Sequence, residues 1–372
     1  MHGIPTAQPE EIGLLPDRLR RAYDLLAQWA REDRLPAAAL CVGRKGRMVG
    51  PRFFGRHRPG GDAPLRQDAL FLVASITKPV TVTAVMMLVE RGLVALEDRV
   101  TAYLPKFGAN GKGGVQVRHL MTHTSGLPDM LPNNDKLRAA HKPLSAFVEA
   151  TCKLPLLFPP GTRVNYQSMG IAVLAEIVHQ VSGLSISEFL RKEVFTPLGM
   201  NDTSLGWEPK KKDRIAVVRL PEGAEKTDWH WNTPYWLGFG APWGGLITSP
   251  ADFARFCQMM LNGGSLGDVR LLSRAAVRAM TTNQLAGMPQ VPEEERRCRP
   301  WGLGWKLQWP AHSANFGDLL GPRAYGHWGA TGTLCWIDPD ADAFCILFTT
   351  QPQGDEGRFL ARVSNAVAAA LA

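Results

Sequence analysis

The chain has 372 residues, of which 45% are hydrophobic and 20% charged, a balance that excludes a disordered, collagenous or coiled-coil protein. At about 150 residues per structural unit, this length accommodates two or three units with full cores. Lysine and arginine exceed the acids to give a formal charge of +8, yet the dense basic runs are short and flanked by acids or prolines. Lys210, Lys211 and Lys212, and then Arg296, Arg297 and Arg299, read as solvated loops, and no nucleic-acid partner is expected.

The residues from Met1 to Glu11 carry neither a basic nor an apolar leader segment, and no apolar run reaches the roughly 18 residues of a membrane span. The reading is a cytoplasmic protein. Its six cysteines, at 41, 152, 257, 298, 335 and 345, lack zinc-type spacing and are expected as reduced thiols. Cys335 and Cys345 flank the turn-like run Asp338-Pro339-Asp340-Ala341-Asp342 and could face each other on a hairpin; two buried apolar cysteines are the preferred reading.

In chain order, apolar residues at Leu19, Tyr23, Leu26 and Ala30 predict an amphipathic helix over Pro16 to Leu35. Ala37 to Val42 and Met48 to Phe54 predict a hairpin around Gly-Arg-Lys-Gly-Arg. Helical patterns follow at Val80 to Gly92, around Val117 to His123, at Leu144 to Cys152 and at Gly170 to Gly183. Gly332 to Ile337 and Ala343 to Thr350 predict a second strand pair, and Arg358 to Ala372 a final helix. Both chain ends can therefore share one antiparallel sheet, with a mainly helical unit inserted between them. The expected boundaries are 1–78 and 235–372 for the α/β unit and 79–234 for the helical one, with the active site at their interface.

Ser75 follows the apolar run Leu70-Phe71-Leu72-Val73 and opens the apolar stretch Val80 to Glu90, so it falls at a helix N-terminus. A lysine three residues later, Lys78, shares its face of the first turn. A serine hydroxyl is a poor nucleophile until a neighbour takes its proton, and a lysine can do so only when burial or nearby charge keeps it neutral. The helix start adds free N–H groups suited to an anionic intermediate.

Five landmarks, in order, give this pair its context: Phe71-Leu-Val-Ala-Ser-Ile-Thr-Lys78, Leu120-Met-Thr-His-Thr-Ser-Gly-Leu-Pro128, Pro160-Gly-Thr-Arg-Val-Asn-Tyr-Gln-Ser168, Gly244-Gly-Leu-Ile-Thr-Ser-Pro-Ala-Asp-Phe-Ala254 and Gly326-His-Trp-Gly-Ala-Thr-Gly332. With them the chain resembles the serine β-lactamase and penicillin-binding-protein superfamily, in the class C β-lactamase-like branch that includes family VIII carboxylesterases. The resemblance implies an α/β (α+β) fold of the β-lactamase/transpeptidase type, an antiparallel sheet flanked by helices plus a mainly helical domain. It implies Ser75 as the acylated nucleophile, Lys78 and Tyr166 as proton-shuttling partners, and the backbone N–H groups of Ser75 and Ala330 as the oxyanion hole. A phenol does this work only as phenolate or relay.

Two departures stand out. Ser168 occupies a place where the β-lactamases of this branch usually carry asparagine. His327-Trp328-Gly329 stands where a Lys-Thr-Gly motif would put a permanent ammonium and a hydroxyl, and histidine is at most partly charged near neutral pH. Both changes weaken carboxylate recognition and favour neutral, apolar acyl substrates. All but one of the eleven tryptophans lie at or beyond residue 207. The run Trp229, Trp231, Tyr235 and Trp236 reads as a loop forming an aromatic rim. Ser168, His327, Trp328, Gly329 and Trp236 are the expected substrate contacts.

Two patterns are set aside. Gly263-Gly264-Ser265-Leu266-Gly267 fits a nucleophile elbow, but a helix precedes it where an elbow needs a strand, so Ser265 reads as a turn residue. His119 and His123 have no third ligand to complete a metal site, and His123 reads as stiffening the turn after its helix. The expected activity is a carboxylesterase on small to medium acyl esters, without cofactor or metal, whose partner is a small-molecule ester. A β-lactamase, a D-amino-acid peptidase or amidase, an acyltransferase, and a catalytically silent scaffold on the same fold are the alternatives.

Overall fold

The computed structural model describes residues 3–308, 316–352 and 359–371. Its strands, in chain order, are β1 (Ala37–Arg44), β2 (Arg47–Gly55), β3 (Phe71–Leu72), β4 (Ser204–Leu205), β5 (Leu246–Thr248), β6 (Ser265–Leu266), β7 (Val269–Arg270), β8 (Lys306–Leu307), β9 (Tyr325–Gly329), β10 (Thr333–Asp338) and β11 (Ala343–Thr349). The main sheet runs β2-β1-β11-β10-β9-β8, all antiparallel. Strands from the two chain ends meet at its centre, where Ala38 pairs with Thr349. Near its two ends the chain also meets itself, where the Leu15 N–H donates to the Ala370 carbonyl at 2.8 Å.

The central strands read as continuous apolar runs because both of their faces are covered. Ala37, Ala39 and Cys41 of β1 face one core, together with Phe344, Ile346 and Phe348 of β11. Ala38, Leu40 and Val42 face the other, with Cys345 and Leu347. The second core is roofed by the helix Pro16–Arg31, which buries Leu19, Tyr23, Leu26 and Trp29, and by the helix Phe359–Ala368. The first core contains the helices Thr77–Glu90 and Met169–Ser182, which pack on each other. The former is buried from Thr77 to Leu88, the pattern of a central helix rather than a surface one.

The same period-2 logic settles the cysteines. Cys335 is opposite Ile346, and Cys345 opposite Trp336, so the one-residue offset sends the two thiols to opposite faces of the sheet. All six cysteines are free.

Three local readings change. Ser265 is the first residue of the two-residue strand β6, paired with Arg270 across a tight hairpin, and is not in the turn. The tryptophan run is partly helical: Pro234–Phe239 forms a short helix capped by the Thr233 hydroxyl, which accepts from the Trp236 N–H. All of the basic runs but Arg299, which follows the second helix, lie on the short helical segments Pro209–Arg214 and Glu293–Cys298 rather than in loops; Lys210 and Lys211 pair with Glu208, and Arg297 with Glu293. Trp309, Arg358 and Ala372 fall outside the described residues. Among the described residues no single helix is long and apolar enough to cross a membrane.

Candidate active site

Ser75 lies in a single 3-10 turn, Ala74–Ile76, that runs directly into the helix Thr77–Glu90. The turn is reached through Ala74, whose φ of +46° places a non-glycine residue in the left-handed region. That conformation costs on the order of 1 kcal/mol or more and survives only where the surroundings impose it. Here they do. The Thr77 hydroxyl donates to the Ala74 carbonyl at 2.6 Å and accepts from the Leu246 N–H at 3.0 Å. The Val73 N–H donates to the Leu246 carbonyl at 3.0 Å.

From the other side, the β9–β10 turn is tied to the same segment. The hydroxyl of Thr331 donates to the Leu72 carbonyl at 2.7 Å, and that of Thr333 to the Val73 carbonyl at 2.9 Å. The turn closes through a Gly332 N–H to Gly329 carbonyl bond of 2.9 Å. Ala330, the residue after Gly329, keeps its N–H out of that closing bond and lies at the mouth of the cleft with Ser75. A Cβ on Gly329 would stand 2.2 Å from the Val73 carbonyl oxygen. The close approach of β9 to the Ser75 turn therefore requires glycine there.

Lys78 is fully buried, and its Nζ lies 3.0 Å from Ser75 Oγ and 3.1 Å from the Trp243 carbonyl. Burial pulls its pKa down to about 7, with the Asp129 carboxylate pushing weakly the other way. The ammonium position is also 4.5 Å from the centre of the Tyr166 ring. Burial drives the Tyr166 phenol above its ordinary range, and only a hydrogen bond with Ser75 opposes this. Tyr166 is accordingly a neutral hydroxyl, able to relay a proton but not poised as phenolate.

Behind Tyr166 stand two imidazoles and an indole. His123, Trp301 and His327 have ring centres 4.7, 5.9 and 6.1 Å from that of Tyr166. Burial is the first cause holding both histidines uncharged, with Lys78 second, and His327 is driven down to about 3. His123, in the turn just past the helix Val117–Met121, has a φ of +61°, and its Nδ1 accepts from the Gln167 N–H at 3.1 Å. It thus braces the segment that carries Tyr166. His119 accepts from the Gln116 N–H.

The expected substrate contacts divide. Trp236, Trp328 and Ser168 line a cleft of about 480 Å³ with Ser75, Tyr166 and Ala330. His327 and Gly329 do not. His327 is fully buried, its Nδ1 accepting from the Trp328 N–H at 2.9 Å. On a strand, alternate residues face opposite ways, and His327 points with Tyr325 toward the inner core while Trp328 points toward the other. Gly329 lets the strand pass close to the Ser75 turn and is not among the residues lining the cleft. Ser168 does not present a free hydroxyl, for it donates to Asp129 Oδ1 at 2.7 Å.

Asp129, Arg138, Trp231 and Trp243 also line the cleft. Sequence reasoning missed Asp129 and Arg138. Asp129 comes right after the Leu120 to Pro128 landmark, which could have flagged it, while Arg138 carries no local signal.

The sheet flanked by helices, with Ser75 and Lys78 in contact at a helix start, defines the β-lactamase/transpeptidase-like fold, whose superfamily consists of serine hydrolases. The chain belongs to the Beta-lactamase family, whose model matches residues 22–370. Penicillin-binding protein 4 of Amycolatopsis lactamdurans is 31% identical over 308 residues, covering 81% of this chain and 76% of that protein. A penicillin-binding protein homolog from Caulobacter crescentus superposes with a TM-score of 0.80 at 22% identity, over 96% of this chain and 99% of its own. A family VIII carboxylesterase gives 0.78 at 22%, again over 96% and 99%. At these identities the two solved structures speak to the fold alone.

Proposed function

We propose that the protein is a carboxylesterase that works through an acyl-enzyme on Ser75. The observation that carries this reading is the 3.0 Å contact between Ser75 Oγ and a fully buried lysine with a pKa of about 7. A neutral amine at that distance takes the serine proton as the hydroxyl attacks the ester carbonyl. The resulting ammonium is held by the Trp243 carbonyl and, through space, by Asp129. The developing oxyanion falls between the N–H groups of Ser75 and Ala330, which the two threonine tethers hold in register before substrate arrives. Tyr166, neutral and next to both Ser75 and Lys78, passes the proton on to the leaving alcohol. Water then reverses the sequence and frees the acid.

Esters are favoured over β-lactams and D-peptides by what replaces the third motif. A buried, uncharged His327 offers no ammonium to a carboxylate beside the oxyanion hole. Trp231, Trp236, Trp243 and Trp328 make the cleft walls largely aromatic. The test sets p-nitrophenyl butyrate against a chromogenic cephalosporin, with Ser75→Ala as control. Ester turnover and fluorophosphonate labelling, both lost in Ser75→Ala, are expected. Turnover that survives the substitution, or the absence of both turnover and labelling in the natural chain, overturns the reading.

A further inference from the structure

Arg138 sits on the short helix Asn134–Ala139 and faces the cleft that holds Ser75. Its guanidinium lies 4.3 Å from the ring centre of Trp236 and 5.9 Å from that of Trp229. Burial is the main influence on it and weakens its hold on its proton, and the acid it feels is Asp135, through space. Asp135 is itself engaged by the Asn134 side chain at 2.9 Å. Among the described residues no carboxylate comes within ion-pair distance of Arg138, and its Nε–H is buried with no acceptor. The indole N–H groups of Trp236 and Trp243, in the same wall, are buried without an acceptor as well.

A guanidinium offers five donors in a planar fork matched to carboxylate. To bury part of one without a partner is costly, and an entering anion relieves that cost. The other charge in the cleft is Asp129, which acts on Lys78 and Tyr166 and is not among the groups acting on Arg138. The cleft therefore has a polarity. Its acidic end lies by the proton relay, and its basic end lies against Trp236 and Trp229.

We propose that Arg138 is the anion receptor of this cleft, and that the preferred substrates are esters carrying a carboxylate remote from the scissile bond. The proposal rests on the reading of Ser75 as an ester-cleaving nucleophile and adds the substrate class.

Two substrate pairs test it. On the acyl side, the mono-p-nitrophenyl ester of glutaric acid is compared with its methyl-capped diester. On the alcohol side, the butyrate ester of 4-hydroxybenzoate is compared with that of its methyl ester. In one of the pairs the carboxylate member is expected to have a kcat/KM at least tenfold above its neutral isostere, the lower end of what a charge-assisted hydrogen bond supplies. Arg138→Met should reduce that ratio tenfold or more, and Arg138→Lys should recover part of it. Because the readout is a ratio within one preparation, it is unaffected by partial unfolding of a variant. A preference for neither carboxylate ester, or a preference that Arg138→Met leaves intact, overturns the proposal while neutral-ester turnover upholds the esterase reading. Should no ester turn over, calorimetric binding of monomethyl glutarate to Ser75→Ala, with and without Arg138→Met, still decides: equal affinities refute the receptor.

Discussion

Replacing Lys78 with methionine tests the base directly, and the test lies in how stability varies with pH. In the fold the Lys78 pKa falls from 10.5 to about 7 because burial penalises the ammonium, whereas in the unfolded chain it returns to about 10.4. The unfolded state therefore holds the proton more tightly, and stability is lost wherever it is protonated and the folded state is not, or is so only at a cost. The penalty is complete below pH 7, fades as pH rises and vanishes near 11. At about 1.4 kcal/mol per unit it amounts to roughly 4 kcal/mol at pH 7 and roughly 2 kcal/mol at pH 9. Lys78→Met removes it. Lost hydrogen bonds to Ser75 and the Trp243 carbonyl, and altered packing, add an offset that does not depend on pH. Urea unfolding of both proteins at pH 7 and pH 9 isolates the titration. Relative to the natural chain, the variant should lose about 2 kcal/mol of its advantage across that interval. Parallel stability curves would mean that Lys78 is charged in the fold at neutral pH, and a charged lysine cannot be the base.

Other outcomes follow from the same geometry. Asp129→Asn removes the carboxylate that raises the Lys78 pKa, so the acid limb of kcat/KM, set near pH 7 in the natural chain, should move to lower pH; a shift upward contradicts the assignment. Gly329→Ala puts a methyl 2.2 Å from the Val73 carbonyl oxygen, which should cost about 1–3 kcal/mol in urea unfolding and lower kcat more than it raises KM, since the hole rather than the pocket moves. Trp236→Ala opens the aromatic wall and should shift the acyl chain-length optimum on p-nitrophenyl esters to longer chains; an unchanged optimum removes Trp236 from the pocket.

The sheet and its long helices were legible because they answer to local periodicity: every apolar run at the chain ends became a strand or helix within a few residues of its expected place. Ser75 and Lys78 were legible because one helical turn brings them together, and no distant residue is needed to predict that contact. Tyr166 and Ala330 came through the motifs alone. The misreadings share a cause. His327 was assigned to the substrate because the motif names a strand, and the motif does not say which face of the strand meets the core. Asp129 and Thr331 border or lie within the landmarks, but their roles depend on contacts made across the fold, and Arg138 has nothing in its own neighbourhood to mark it. The carboxylate question turned on these residues: the lost lysine was legible at once, while the guanidinium lining the same cleft was not.

The pairing of β1 with β11 has a consequence for the birth of the molecule. During synthesis β1 and β2 emerge first, yet the strand that covers the free edge of β1 is among the last segments made. At about 5–20 residues per second, some 300 residues of translation leave that edge bare for roughly 15–60 seconds. From Ala37 to Gly43 it carries no charge, so it has none of the gatekeeping that discourages edge-to-edge aggregation. Slow, cool expression and an ample supply of holding chaperones should suit this chain. The contact between Leu15 and Ala370 offers a more durable remedy. A circular permutant that fuses the chain at that contact and opens ahead of β9 would make β9, β10, β11 and β1 consecutive, turning a sheet closed by the last strand into one closed by the first hundred residues.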